Sequence, residues 1–138
     1  MALAQYERKM TSMRTIEKMR WRAERGLWNG GIPPLGYTRD PDKKGMLVPV
    51  PAEAEVVRLL FDRYLEAGSV TALVRWLSRN GIRIPVRRTK EGEAIGGGGF
   101  YKSVVLEMLQ KPVYVGKVSY EGQEYPAKHP PIWGAPRF

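Results

Sequence analysis

Gly26-Leu27-Trp28-Asn29-Gly30-Gly31-Ile32-Pro33-Pro34-Leu35-Gly36-Tyr37 is the stretch that divides this chain. Gly30-Gly31 opens the backbone to positive φ, and Pro33-Pro34 removes two amide donors. Neither a helix nor a central strand runs through such a segment. It predicts an extended connection, with Gly26 at the C′ position of the helix before it. On its N-terminal side, Ala2 to about Arg25 lacks Gly and Pro and is rich in Ala, Leu, Met, Glu, Lys and Arg. That composition predicts one long helix. Leu3, Tyr6, Met10 and Met13 recur at a spacing of three to four and form an apolar stripe, which needs a partner on this domain or elsewhere. Beyond the stripe, Arg14, Lys18, Arg20, Arg22 and Arg25 dominate.

On the C-terminal side the grammar changes to short elements. Thr38-Arg39 and Met46-Leu47-Val48 flank the turn residues 40–45 and read as a hairpin. Pro51 suits the first position of a helix, with Glu53 and Glu55 near its positive end. Val56, Val57, Leu60, Phe61, Tyr64 and Leu65 form its expected buried face, and Gly68 stops it. Ser69 is placed to cap a second helix burying Val70, Leu73, Val74 and Leu77, which ends at Asn80-Gly81. Ile82–Val86 reads as a short extended piece. Residues 87–99 read as a loop, with Gly96–Gly99 as a flexible tether. Phe100 to Gln110 returns to helix with Val104, Val105, Met108 and Leu109 inward, and Pro112 ends it. Tyr114–Tyr120 and Gln123–Ala127 predict a hairpin turning at Glu121-Gly122. Residues 128–138, rich in Pro, read as a flexible tail. The expected class is α+β and mainly helical. It combines a long N-terminal helix, an extended linker, and a compact helical domain with a helix-turn-helix-like pair and short β-hairpins.

The bulk properties narrow the function. A chain of 138 residues is one domain or one domain with an extension, and a hydrophobic fraction of 43% supports a small core. Lys and Arg number 23 against 14 Asp and Glu, a net charge of +9, which favours a polyanionic partner, most often nucleic acid. There is no cysteine, which rules out disulfides and thiolate metal sites. Charges at Glu7, Arg8 and Lys9 interrupt any secretory signal, and no apolar run reaches the roughly 18 residues that span a membrane. The expected location is cytoplasmic, associated with the nucleoid, with no membrane partner and no cofactor.

Chemistry-bearing constellations are sparse. His129 is the sole histidine, between Lys128 and Pro130, and has no second His or Cys to form a metal site or triad. Gly96–Gly99 lacks the following Lys-Ser/Thr of a phosphate loop. Ser12, Ser69, Ser78, Ser103 and Ser119 have no evident base. No catalytic or metal residue is assigned. Trp21, Trp28, Trp76 and Trp133 suit base stacking, but in a small domain such residues more often anchor the core. The basic residues Arg83, Arg87, Arg88, Lys90 and Lys102 surround only Glu91 and Glu93, a cluster suited to neutralising phosphates. Tyr101, Lys102 and Ser103 lie at the N-terminal end of the last helix, where free amides also suit phosphate and side chains can reach a major groove.

The ordered set of motifs resembles the Recombinase DNA-binding domain of the large serine recombinases and integrases. That family carries Gly-x-Trp-x-Gly-Gly-x-x-Pro-aromatic-Gly-Tyr, matched here from Gly26 to Tyr37 with Leu35 in place of the aromatic. Its Glu-Ala-x-x-Val helix is similar to Glu53-Ala54-Glu55-Val56-Val57. Its Ile-Ala-x-x-Leu-Asn-x-x-Gly-Ile element looks like Leu73 to Ile82. Its Val-x-x-(Ile/Met)-Leu-x-Asn-Pro-x-Tyr-x-Gly signature resembles Val105 to Gly116, with Lys111 for Asn. Phe100-Tyr101 stand where Trp is common.

The start of the chain looks like the end of the long helix that leaves the family's catalytic domain. The resemblance implies residues 1–25 as that helix, 26–37 as linker, 38–127 as the DNA-binding domain and 128–138 as tail. It implies a parent that recombines DNA at attachment sites through a phosphoserine linkage. The catalytic and cysteine-bearing zinc domains would be the parent's own partners to this part. Neither is in these residues, so the expectation is a non-enzymatic piece, excised or naturally truncated, and monomeric in solution.

Its expected partner is duplex DNA at an attachment-site half-site. The resemblance implies phosphate contacts from Arg22, Arg25, Arg87, Arg88 and Lys90, and base-edge contacts from Tyr101, Lys102 and Ser103. The linker Trp28, Asn29, Gly30, Gly31, Ile32 and Pro33 would follow the minor groove. A winged-helix transcriptional regulator and a basic RNA-binding protein are the rival readings. The long basic helix and the Gly/Pro arm argue against the first. A preference for duplex DNA over structured RNA separates the second.

Overall fold

A computed structural model describes residues 2–134. Helix α1 (Ala2–Glu24) is followed by the linker, hairpin β1 (Tyr37–Arg39) and β2 (Leu47–Pro49), and helices α2 (Pro51–Ala67) and α3 (Val70–Arg79). Then come a small hairpin of β3 (Arg87–Arg88) and β4 (Ala94–Ile95), helix α4 (Lys102–Gln110), a 3-10 turn (Pro112–Val115), and hairpin β5 (Lys117–Tyr120) and β6 (Gln123–Pro126). Each pair of strands is antiparallel and forms its own two-stranded sheet. This is the mainly helical α+β class that the sequence predicts.

Local chemistry sets the boundaries. Gly26 ends α1 at φ +73°, with Gly26 N donating to Ala23 O at 2.9 Å and Leu27 N to Arg22 O at 2.9 Å. This is the Schellman pattern that a C′ glycine permits. Gly68 closes α2 in the left-handed region, and Ser69 Oγ accepts from Ala72 N at 3.1 Å to start α3. Asp40 Oδ1 accepts from Asp42 N at 2.8 Å and tightens the β1–β2 turn. Glu121 and Gly122, at φ +49° and +77°, turn β5 into β6.

The core sits where α2, α3, α4 and the 3-10 turn meet. Val57, Leu60, Phe61, Leu73, Leu77, Val105, Met108 and Val113 pack there with Tyr37, Leu47, Phe100 and Tyr114. α3 and α4 are in contact, so the expected helix pair forms. Leu65, expected on the buried face of α2, is exposed, whereas Tyr64 beside it still packs against the core. Tyr114 and Val115 belong to the 3-10 turn and not to the strand that follows it.

Two expectations are corrected. Residues 87–99 are not a simple loop. Arg87 pairs with Ile95 and Arg88 with Ala94, and the glycine run lies against Ile82–Val86. Gly97 N donates to Ile84 O at 2.7 Å, and Ile84 N to Gly98 O at 2.9 Å. At Gly96 the two backbones touch, and a Cβ there would lie 2.3 Å from Pro85 O.

The second correction concerns the expected tail. Residues 128–134 form a strap across the core, while 135–138 lie outside the described residues. His129 and Ile132 are buried, Trp133 stacks on Phe61 with ring centroids 5.1 Å apart, and Trp133 Nε1 donates to Asp62 Oδ1 at 2.9 Å. Proline fixes the strap's path, and its free carbonyls and aromatic side chains supply the contacts.

Only 3% of His129 is exposed, and its Nε2 lies 2.8 Å from Val113 O, which makes Nε2 the protonated nitrogen. Burial pushes the imidazole below its usual value of 6.5, opposed by the bond to Val113. Its folded value is thus below its unfolded one. Its contribution to stability is full above the unfolded value and is lost as pH falls. The melting temperature is expected to drop between about pH 7 and pH 5. His129→Gln should flatten that slope, and an unchanged slope would count against this residue as its source.

Candidate nucleic-acid interface

The C-terminal half of α1 is tied to the body. Arg20 Nη2 lies 2.9 Å from Glu121 Oε2 at the tip of the β5–β6 hairpin. Tyr120 Oη donates to Ile16 O at 3.4 Å, and Asn29 Nδ2 to Met19 O at 3.1 Å. Ala23 is fully buried against this region. The N-terminal half is not covered: Leu3, Tyr6 and Met13 are exposed. Of the predicted phosphate contacts on this helix, Arg22 is half-buried and Arg25 is exposed. The Arg25 guanidinium stacks over the Trp21 ring, 3.9 Å from its centroid, which leaves both on the surface as a cation–π pair.

The linker and the β3–β4 hairpin, far apart in sequence, meet. Gly31, Ile32 and Pro33 form one wall of a cleft of about 420 Å³, Thr38 and Arg39 of β1 a second, and residues 87–91 a third. Arg88 and Lys90 are exposed at its rim, with Glu91 the acidic residue beside them. Within the expected minor-groove segment, Gly30, Gly31 and Ile32 are exposed, whereas Trp28, Asn29 and Pro33 are half-buried. Trp28 packs against the core cluster, so its role is anchoring. Trp76 and Trp133 do the same.

Arg87 is not available to a phosphate. Its Nε lies 3.2 Å from Glu53 Oε1, Nη1 donates to Pro33 O at 2.6 Å, and Nη2 donates to Tyr37 O at 2.5 Å. The side chains of Arg87 and Glu53 are each only 14% exposed. The reason is strand alternation: Arg87 and Arg88 point to opposite faces of β3, one inward and one to solvent. On the facing strand, Thr38 and Arg39 are both exposed, and Arg39 Nη2 donates to Gly31 O. From the sequence, Arg39 belongs only to a hairpin and Glu53 only to a helix start, and neither is marked as a site residue. The hairpin pattern around Arg39 was legible, but its neighbour across the cleft was not.

Tyr101, Lys102 and Ser103 lie together at the start of α4, all exposed, with Tyr101 at the N-cap position. Tyr101 makes no side-chain cap bond, so the first-turn amides of α4 remain open to an external acceptor. Phe100 beside it is buried and anchors the helix start.

Among family models, Recombinase matches residues 51–137. The chain belongs to this family, the Recombinase domain of the large serine recombinases. The domain is 37% identical over 92 residues to "Uncharacterized protein y4bA/y4pH" of Sinorhizobium fredii, covering 63% of this chain and 13% of that protein. A solved structure from work on the sequence requirements of the Listeria innocua prophage attP site superposes with a TM-score of 0.67. It is 24% identical and covers 88% of this chain and 46% of its own. The crystal structure of an LSR–DNA complex gives a TM-score of 0.65 at 24% identity, covering 91% of this chain and 34% of its own. These structures are similar in fold. The Recombinase chain spans about an eighth of the curated relative and less than half of either structure. Among its described residues, no helix is long and apolar enough to cross a membrane.

Proposed function

We propose that this Recombinase domain binds duplex DNA at an attachment-site half-site, within a serine recombinase that carries out site-specific recombination. The observation that carries the reading is the cleft in which the exposed linker residues Gly31 and Ile32 meet Arg88 and Lys90. A glycine-bearing backbone beside exposed cations suits a phosphate strand at the edge of a minor groove. Tyr101, Lys102 and Ser103 supply a helix N-terminus for the neighbouring major groove. Arg22 and Arg25 extend the basic surface along α1, and Arg87 is removed from the set. The relatives described as an LSR–DNA complex and an attP-site study support the same partner class.

Titration of duplex DNA by fluorescence anisotropy at several salt concentrations tests it. Arg88→Ala with Lys90→Ala is expected to lower the salt slope by about 1.8, at about 0.9 per phosphate contact. Lys102→Ala is expected to reduce discrimination between a selected half-site and random duplex by about 1–3 kcal/mol. Equal affinity for structured RNA, or no duplex binding, would overturn the reading.

A further inference from the structure

We infer that Arg39 and Arg87 are positioning residues that hold the linker in its binding path before DNA arrives. The inference rests on the DNA-binding reading for its consequence, but its structural half stands apart. Gly30 and Gly31 lie at φ +97° and +82°, and a Cβ on either would meet nothing within 4 Å. Steric packing therefore does not hold these two residues. Two successive glycines would otherwise sample many conformations, and ordering each one costs about 1–2 kcal/mol or more.

Hydrogen bonds to the linker backbone supply what packing does not. Trp28 N donates to Gly45 O at 2.7 Å and fixes the near end. At the far end Pro33 and Pro34 have no amides, so only their carbonyls can be held: Tyr37 N takes Pro34 O at 3.0 Å, and Pro33 O needs a donor from outside the linker. Arg87 provides it. Its fork bonds Pro33 O and Tyr37 O together, while Glu53 Oε1 holds its Nε and also accepts from Gly36 N at 3.0 Å. Arg39 takes the carbonyl of Gly31 between the two ends.

The two arginines thus grip alternate linker carbonyls, Gly31 and Pro33, and both line one cleft with them. A guanidinium suits this role because its donors are planar and rigid. Their donors face the linker, in contrast to Arg88, which bonds Gly92 O within its own hairpin and lies at the surface. A linker already in place reduces the ordering cost of association.

The chain has no cysteine, so Ile32→Cys, at an exposed position, accepts a single nitroxide label. In the free protein the expected spectrum is that of a restrained label. Arg39→Ala, and Arg87→Lys (which keeps a cation beside Glu53 so that the fold survives), should each sharpen it. In anisotropy titrations with duplex DNA, each variant should bind about tenfold more weakly with an unchanged salt slope. A fall in slope of about 0.9 per arginine would make them phosphate contacts and overturn the inference. So would a freely mobile label in the unsubstituted background. If the label responds as expected but no variant and no parent binds duplex DNA, the clamp stands and the DNA-binding reading fails instead.

Discussion

Gly26→Ala is expected to lower the free energy of unfolding by about 2–4 kcal/mol, from a strained backbone plus a clash with unyielding atoms. The residue sits at φ +73°, which costs an alanine about 1 kcal/mol or more. The larger part is contact. A Cβ there would lie 2.4 Å from Pro126 O, 2.9 Å from Lys128 N and 3.0 Å from Ala127 Cα. All three are backbone atoms and cannot rotate away. Relief requires α1 and the strap to separate, which also breaks the 3.0 Å bond from Lys128 N to Gly26 O. Gly30→Ala is the control. Its φ is +97° but nothing lies within 4 Å, so only the backbone term applies, about 1 kcal/mol. Urea titration of both variants distinguishes the two contributions. Equal losses would mean that the junction between α1 and the strap is looser than these distances require.

The residues around Gly26 also show where sequence reading reaches its limit. A helix stop at Gly26 follows from local chemistry, because any helix ending there needs a left-handed residue. The close approach of Pro126 to Lys128 does not, since those residues are a hundred positions away in the chain. The same division holds through the molecule. Ser69 capping α3, Gly68 ending α2 and the turn at Glu121-Gly122 are set by residues within a few positions, and all were legible. The strap at 128–134 was not. Its prolines read as disorder when taken alone, but Ile132 and Trp133 find a surface built from α2 and the 3-10 turn.

The candidate interface divides in the same way. Exposed Tyr101, Lys102 and Ser103 follow from the position of α4 in the sequence. The cluster at 87–90 was legible as charge, but not as two faces. A two-residue strand turns Arg87 inward to Glu53 while Arg88 stays outside. The sequence has too few alternating residues there to reveal the strand, and the long-range partners that select it are Glu53 and Pro33.

Tyr37→Ala is expected to cost about 4 kcal/mol, within the range for deleting a buried aromatic ring. Tyr37 is fully buried at the first position of β1, where the linker enters the core. Its ring lies edge-on to His129, with centroids 5.0 Å apart, and stacks with Tyr114 at 6.1 Å. Burial pushes both phenols well above their usual ionisation range, so both remain neutral across the accessible pH range. The Tyr37 hydroxyl donates to Pro130 O at 2.6 Å, while Val113 O, 3.3 Å away, is held by His129.

Tyr37→Phe isolates that last bond. It should cost only about 1–2 kcal/mol, the loss of a donor to a carbonyl that stays partly buried. The two substitutions should also differ in where the protein loosens. The amides of Ile132 and Trp133 both donate to Tyr114 O at 3.0 Å and report on the strap. With Tyr37→Phe their hydrogen exchange should quicken while α2 and α3 exchange as before, because only the strap has lost a tether. With Tyr37→Ala the whole core loses a ring, and protection should fall in α2, α4 and the strap together. If Tyr37→Phe loosened α2 and α3 as much as the strap, the hydroxyl would be supporting the core as a unit and not tying the strap to the start of β1.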